Sequence, residues 1–363
     1  MKPRRLAVVV VGLAGLLLIA LLIRQAFGPP AGTLYSLSTA PRGVMGTECG
    51  LQAVAAGRDA DERMNRALGD AEQALRQVEM RMSTYIELTE LSRLNAAPAG
   101  QVVKLSPETL TVLRLARDLH AQTDGAFDVT CLPVFRLWAR AGKAGRLPTA
   151  EELAAAKSAS GWDKFELLPD GARKAVAEAG VGLGGIAKGY AIDLAAEAML
   201  RTGCQGGLVD VGGDIRCFGL SSRGGKWRIA VNSPFAPGGG EFFGTLELTG
   251  LAVCTSGNYE RYSVIGGKKY SHIVDPRTAM PVDTAPSVTI VAPTAALADG
   301  WATALSVLGE AGLKRIDPDS GIEALVVMGG PDDYHLAQTP GFAKLLREPI
   351  TLPATRPGRG GTR

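Results

Sequence analysis

The period of the apolar residues changes once along this chain, near Leu200, and that change limits the fold more than any other feature. Before it, Met64, Leu68, Ala71, Leu75, Val78 and Met82 recur at spacings of four and three, the mark of one face of an amphipathic helix that begins near Asp59. A second helix is predicted to open at Ser106-Pro107-Glu108, with Ser106 as cap and Pro107 at the first helical position, where its missing N–H costs nothing. Beyond Leu200 come short alternating runs, such as Trp227, Ile229 and Val231 or Leu246 and Leu248, and Gly-rich turns at Gly212-Gly213 and Gly266-Gly267. Period-two alternation broken by glycine pairs reads as hairpins. Helices early and hairpins late predict an α+β fold, with antiparallel sheets and flanking helices, rather than strict βαβ alternation.

With 363 residues, 46% of them hydrophobic, the chain can bury a core large enough for one big domain or two. Its formal net charge of +3 is not gathered into a basic stripe, which argues against nucleic acid as a partner. Lys2, Arg4 and Arg5 precede an uncharged apolar run from Leu6 to Ile23, closed by Arg24. That is a secretory signal or a membrane anchor, and its length favours an uncleaved anchor. The basic flank keeps the start of the chain cytoplasmic, which places the remainder across the membrane. Residues 1–28 are thus expected to be the anchor or signal, 29–42 a Pro-, Gly- and Ser-containing tether, 43–350 the folded domain and 351–363 a disordered tail. The five cysteines, Cys49, Cys131, Cys204, Cys217 and Cys254, show no metal-ligand spacing and read as small buried hydrophobes.

Three segments carry chemistry. Gly182-Leu183-Gly184-Gly185-Ile186-Ala187 satisfies G-x-G-x-x-A, and a helical pattern through Ala191, Leu194, Ala195 and Ala198 follows it. The residues before it, Ala177 to Gly180, make a poor strand, so a Rossmann site is disfavoured. What remains is a glycine turn at a helix N-terminus with Lys188 in the first turn, suited to an anionic group. Lysine there opposes the helix dipole, and a nearby phosphate would explain its placement. A second helix is expected from Thr294, with Leu297, Trp301, Ala304 and Leu308 as its buried face and Asp299 and Thr303 opposite. Four residues apart, that carboxylate and hydroxyl can share one cation, and all-oxygen ligation suits magnesium. The third segment is Ser271-His272-Ile273-Val274-Asp275-Pro276. A histidine at a strand end near a carboxylate is a candidate general base. His120 and His335 have no charged company of note in the sequence. Read singly, each segment also has a plain structural account: a packing turn, an exposed aspartate, a structural histidine.

Taken in order, the motifs resemble the ApbE family of FAD:protein FMN transferases across roughly residues 43–346. The matching stretches are Met45-Gly46-Thr47, Met82-Ser83-Thr84-Tyr85, Glu90-Leu91-Ser92-Arg93-Leu94-Asn95 and Gly125-Ala126-Phe127-Asp128. Later come Gly184 to Tyr190 with Asp193, Gly212-Gly213-Asp214-Ile215, Thr255-Ser256-Gly257, the His272 to Pro276 run and Ala298-Asp299 through Thr303. The resemblance implies a single T-fold-like catalytic domain and a Mg2+-dependent transfer of FMN from FAD to a threonine or serine hydroxyl of a partner flavoprotein, with AMP released. It implies that Gly185, through its carbonyl, Asp299 and Thr303 hold the metal, and that Met45, Tyr85, Ala126, Phe127, Asp128, Lys188 and Ile273 line the FAD pocket. His272 is the expected base, and the acceptors are expected to be flavoprotein subunits of periplasmic or membrane electron-transfer complexes, with the enzyme anchored in the bacterial inner membrane and its catalytic domain outside.

Two positions depart from the family's pattern. Gly182 stands where many relatives have an acidic residue, so any contact there must come from the backbone. Ala279 replaces the glycine usual after Asp-Pro-x-Thr, at a turn that favours positive φ. An FAD pyrophosphatase, with water as acceptor, and a non-catalytic flavin-binding assembly factor are the alternative readings.

Overall fold

Eight strands form one antiparallel sheet whose spatial order follows the chain: β1 (Leu34–Thr39), β2 (Cys49–Ala56), β3 (Gly206–Val211), β4 (Asp214–Gly219), β5 (Leu251–Gly257), β6 (Ser287–Ala292), β7 (Glu323–Met328) and β8 (His335–Gln338). The computed structural model describes residues 32–236, 241–257 and 262–347; the apolar run 6–23 and the tail 351–363 lie outside the described residues. Among the described residues, no helix is long and apolar enough to cross a membrane. The stretch 29–42, expected as a tether, contains β1, which pairs along its whole length with β2. The alternation Leu34, Ser36, Ser38 against Tyr35 and Leu37 was the signal for that edge strand.

The sheet is covered on both faces because its strands alternate two sets of apolar side chains. On β6, Val288, Ile290 and Ala292 enter the core under the helices, while Val291 enters the core on the opposite face. On β7, Ala324 and Val326 face the helices, and Leu325 and Val327 the other way. The helix layer comprises α1 (Ala60–Met82), α2 (Pro107–Gln122), α3 (Leu132–Ala144), α4 (Ala187–Arg201) and α5 (Ala295–Leu308), of which α1, α4 and α5 lie directly on the sheet. All six residues of the predicted α1 stripe are buried. The α2 start is as read: Ser106 caps it by accepting from the Thr109 amide at 3.3 Å, with Pro107 at its first position. A three-stranded antiparallel sheet that includes Trp227–Asn232 and Phe242–Leu248 covers the opposite face.

Both predicted glycine turns are hairpins of the tight primed kind. Gly212 and Gly213 have φ of 62° and 86° between β3 and β4, and Gly266 and Gly267 have 58° and 79° between strands Tyr262–Ile265 and Lys268–Ser271. Two consecutive left-handed residues match the twist of the flanking strands, and only glycine adopts that pair without steric cost. All five cysteines are buried free thiols.

Candidate active site

Helices α4 and α5 cross so closely that each satisfies amides at the other's N-terminus. Asp193 of α4 accepts from the Ala295 and Ala296 amides of α5 at 2.8 and 2.9 Å. In return, Asp299 of α5 accepts from the Gly189 amide in the first turn of α4 at 3.1 Å. These are donors that a helix cannot satisfy itself. The approach needs glycine: a Cβ on Gly189 would run into the Ala295 carbonyl.

Strand β4 completes the charge arrangement with two successive residues on its helix-facing side. Asp214 Oδ2 lies 2.7 Å from Lys188 Nζ, and Arg216 Nη1 lies 2.7 Å from Asp193 Oδ1. Asp214 is only 2% exposed, and its other oxygen accepts from the Thr255 amide at 2.9 Å. Burial alone would lower the Lys188 pKa, but Asp214 and Asp299 reverse that and hold the ammonium firmly protonated. A phosphate is therefore not needed to explain a lysine at this helix start; the carboxylates do so. Asp214 stood in the sequence only as part of the Gly212–Ile215 stretch, with no role given, and Arg216 was not singled out. Their signal is opposite charge at alternate positions of an otherwise apolar strand, legible only once β4 is known to lie under α4.

The α5 helix is not two-sided. Its surface is buried almost all round, and Asp299, expected on an exposed flank, is 5% exposed. Burial, and then the neighbouring charge of Asp214, push its carboxyl up to about 7. Thr303 follows one turn later on the same stripe, and the Gly185 backbone abuts it: a Cβ on Gly185 would stand 2.8 Å from Thr303 Oγ1. One buried carboxylate, one hydroxyl and a closely apposed backbone make an all-oxygen donor set, which fits a hard divalent cation. A cation there would also offset the cost of burying Asp299 as an ion.

Ala126 and Ile273 pack together with Val307, the next residue on the Asp299–Thr303 stripe. This brings His272, exposed beside Ile273, to the end of that stripe. Asp275, expected as its neighbouring carboxylate, is engaged by Arg277 in a bidentate pair at 2.8 Å through both Nε and Nη2. The ring of Phe127 belongs to the core, against Gly185. Its carbonyl lies 3.2 Å from His120 Nδ1, and Asp128 lies 3.5 Å from the same nitrogen while accepting from the Thr130 amide and hydroxyl. His335 lies 3.1 Å from Glu310. Both histidines thus have carboxylate company that the sequence did not show. Met45 is partly buried at φ 51°, in a loop whose Thr47 leans on Gly212 at the β3–β4 turn and so reaches the Asp214 end of the site. Tyr85 is 95% exposed, so a stacking role would require the bound flavin itself as its partner.

At Gly182, the amide donates to the Val129 carbonyl at 2.8 Å, and a side chain would meet Leu132. The turn at Ala279 keeps a left-handed conformation, φ 60°, despite the alanine, and its carbonyl accepts from Trp138 Nε1 at 2.9 Å. No parallel strand feeds α4, and the glycine segment enters from a loop, so a Rossmann site is absent among the described residues.

The ApbE family model matches residues 45–326. The chain is 33% identical over 280 residues to the FAD:protein FMN transferase of Vibrio cholerae, covering 76% of this chain and 84% of the relative. It is 31% identical over 284 residues to the FAD:protein FMN transferase of Haemophilus influenzae, covering 76% and 82%. Among solved structures, the flavin transferase ApbE from Vibrio cholerae superimposes with a TM-score of 0.75 at 30% identity, covering 86% of this chain and 99% of that one. The apo flavinyl transferase ApbE of Pseudomonas stutzeri gives 0.73 at 31%, covering 86% and 96%.

Proposed function

The chain belongs to the ApbE family and is a flavin-transferring enzyme; on that premise we propose that it moves FMN from FAD to a threonine or serine hydroxyl of a partner flavoprotein and releases AMP. The observation that carries this reading is the gathering of Lys188, Asp299, Thr303 and Gly185 at the α4–α5 crossing, with His272 at the end of the same stripe. Pyrophosphate chemistry needs charge neutralisation more than covalent help. Lys188, fixed by Asp214, supplies a permanent positive charge beside the N-terminal amides of α4, where a phosphate is favoured. Gly185, Asp299 and Thr303 would hold Mg2+, which when bound supplies charge neutralisation at phosphate oxygens. His272 is the side chain to take the proton from the attacking hydroxyl, and its exposure leaves it open to a macromolecular acceptor. Ala126, Asp128 and Ile273, with Met45 and Tyr85 at the rims, are the proposed flavin contacts. We place the enzyme at the inner membrane through the apolar run 6–23, with its catalytic body outside and flavoprotein subunits of electron-transfer complexes as acceptors.

Incubation of the full chain with FAD, Mg2+ and a threonine-containing acceptor should add one FMN to the threonine and release AMP. Chelation or Asp299→Ala should abolish both. AMP without acceptor modification would instead support the pyrophosphatase, and retained FAD without AMP the flavin-binding scaffold.

A further inference from the structure

Trp138 holds the chain on both sides of His272. It lies on a face of α3 shared with Val134 and Ala141, at spacings of four and three residues, and all three are buried. That face receives the hairpin of strands Tyr262–Ile265 and Lys268–Ser271, which leads to His272, and the turn that follows: Ile265, Val274 and Ala279 join it in one apolar cluster. Two residues before His272, Tyr270 stacks on the indole with ring centroids 5.5 Å apart. Seven residues after it, the Ala279 carbonyl accepts from the indole Nε1 at 2.9 Å. Ala279 is 1% exposed, so loss of the indole N–H would leave an enclosed carbonyl one donor short, which is costly.

Between these two anchors the backbone is fixed locally. The Ile273 amide donates to Ser271 Oγ at 3.1 Å, the Val282 amide to the Ile273 carbonyl at 2.9 Å and the Ala279 amide to the Asp275 carbonyl at 2.8 Å. His272 is thus an exposed side chain on a braced mount. The N-terminal end of α3 carries the other half of the arrangement. The helix opens just after Asp128, whose carboxylate accepts from the Thr130 amide and hydroxyl at 2.8 and 2.6 Å, and the Cys131 carbonyl accepts from the Val134 and Phe135 amides at 3.0 and 3.1 Å. One rigid helix therefore bears the Ala126–Asp128 loop at its start and the His272 segment on its flank, with about 9 Å of helical rise between Leu132 and Trp138.

We infer that Trp138 is a positioning residue: through Tyr270 and the Ala279 carbonyl it fixes His272 relative to the flavin loop, with α3 as the spacer. What His272 does rests on the transferase reading above; where it is held does not. W138F keeps a ring against Tyr270 and removes the indole N–H, whereas Y270L removes the stack and keeps the hydrogen bond. Both are made in the full chain, alone and combined with H272A, and AMP release from FAD is followed with Mg2+ and a synthetic peptide carrying one threonine. W138F should lower the rate at saturating FAD about tenfold, part of the roughly 100-fold given by losing a base outright, with the KM for FAD unchanged. In the H272A background neither substitution should lower the rate further, because the group through which they act is gone. The same fold-loss in both backgrounds, or a raised KM in its place, is what a merely structural role gives and overturns the inference. If W138F does not fold, Y270L carries the same comparison. A second readout needs no turnover. The chain has three histidines, so the imidazole 1H–15N signals of His272 are those that H272A lacks; W138F should shift them and leave those of His335 in place. Unmoved His272 signals overturn the inference. The two readings fail separately: no AMP from the parent would sink the transferase, and wild-type release by H272A would remove the base. In both cases the imidazole shift alone decides whether Trp138 holds His272.

Discussion

The α4–α5 crossing and the His272 hairpin are built on opposite physical plans. At the crossing, buried charges are paired, capped and enclosed: Lys188 on Asp214, Asp193 on Arg216 and the α5 amides, Asp299 on the Gly189 amide. At the hairpin, one side is fixed on α3 through Ile265 and Tyr270, while Lys268, Lys269, Tyr262 and Val264 are exposed to water. On the function proposed above, the difference follows from what each end would bind: a pyrophosphate and a small cation, the same in every turnover, would reward a preorganised cage, whereas a protein acceptor that arrives and leaves intact would favour an open surface. Damage at the crossing should therefore register as lost stability together with lost activity, and damage at the periphery as lost activity alone.

Gly189→Ala should have the largest effect. Its Cβ would drive the Ala295 carbonyl away and separate the two helices, at a cost of about 3 kcal/mol from overpacking against backbone. Denaturant unfolding would show it, with transfer lost in parallel; a near-normal midpoint would mean that the crossing is looser than described. His272→Ala tests the other plan. It should slow transfer by about 100-fold, in the range for loss of a general base, while the midpoint and FAD affinity stay unchanged. Wild-type transfer would remove the assigned base.

Asp214→Asn sits between them in size. It leaves Lys188 without its ion-pair partner and should cost about 2 kcal/mol, less than a fully buried pair because the lysine is partly exposed. It should also let the Asp299 carboxyl fall below about 7, because Asp214 helps to push it up; 13C NMR of the Asp299 carboxyl would follow that. In the parent, with divalent cations chelated, the same shift sets a pH dependence. The Asp299 pKa is raised in the folded state, from 3.8 to about 7, so the native protein binds the extra proton in that window. Its contribution to stability is fully present below pH 3.8 and is lost as pH rises through 7, at up to about 1.4 kcal/mol per pH unit. Added Mg2+ should flatten this slope in thermal unfolding curves; an equal slope with and without the metal would separate Asp299 from the cation. Ala279→Gly should give the smallest change, a gain of about 0.5 kcal/mol, because glycine relieves the left-handed strain of the turn at φ 60°. A loss would mean that the buried methyl group contributes more than the strain costs.

Much of the crossing was legible in residue types. Lys188 at a helix start, Asp299 and Thr303 at i,i+4, and the glycines around them needed no coordinates. The partner of Lys188 was not legible, because Asp214 lies 26 positions away on a strand whose place under α4 is a tertiary fact. The burial of Asp299 was misread for a related reason. A helix with a polar residue on each turn looks amphipathic, and only the packing of α4 and the sheet around α5 shows that both sides are enclosed. The β1 edge strand inside the expected tether escaped notice because six residues, only three of them apolar, carry a weak period and gain their structure from β2.

Local physics, then, was written in the sequence. The α1 stripe, the Ser106 cap and the two glycine hairpins follow from periodicity and permitted backbone angles, which act over a few residues whatever surrounds them. Tertiary structure alone decided which charges meet, which of them lose water and which remain exposed. Those outcomes depend on distances between segments far apart in the chain and on the dielectric that packing creates around them, and neither quantity exists until the chain has folded.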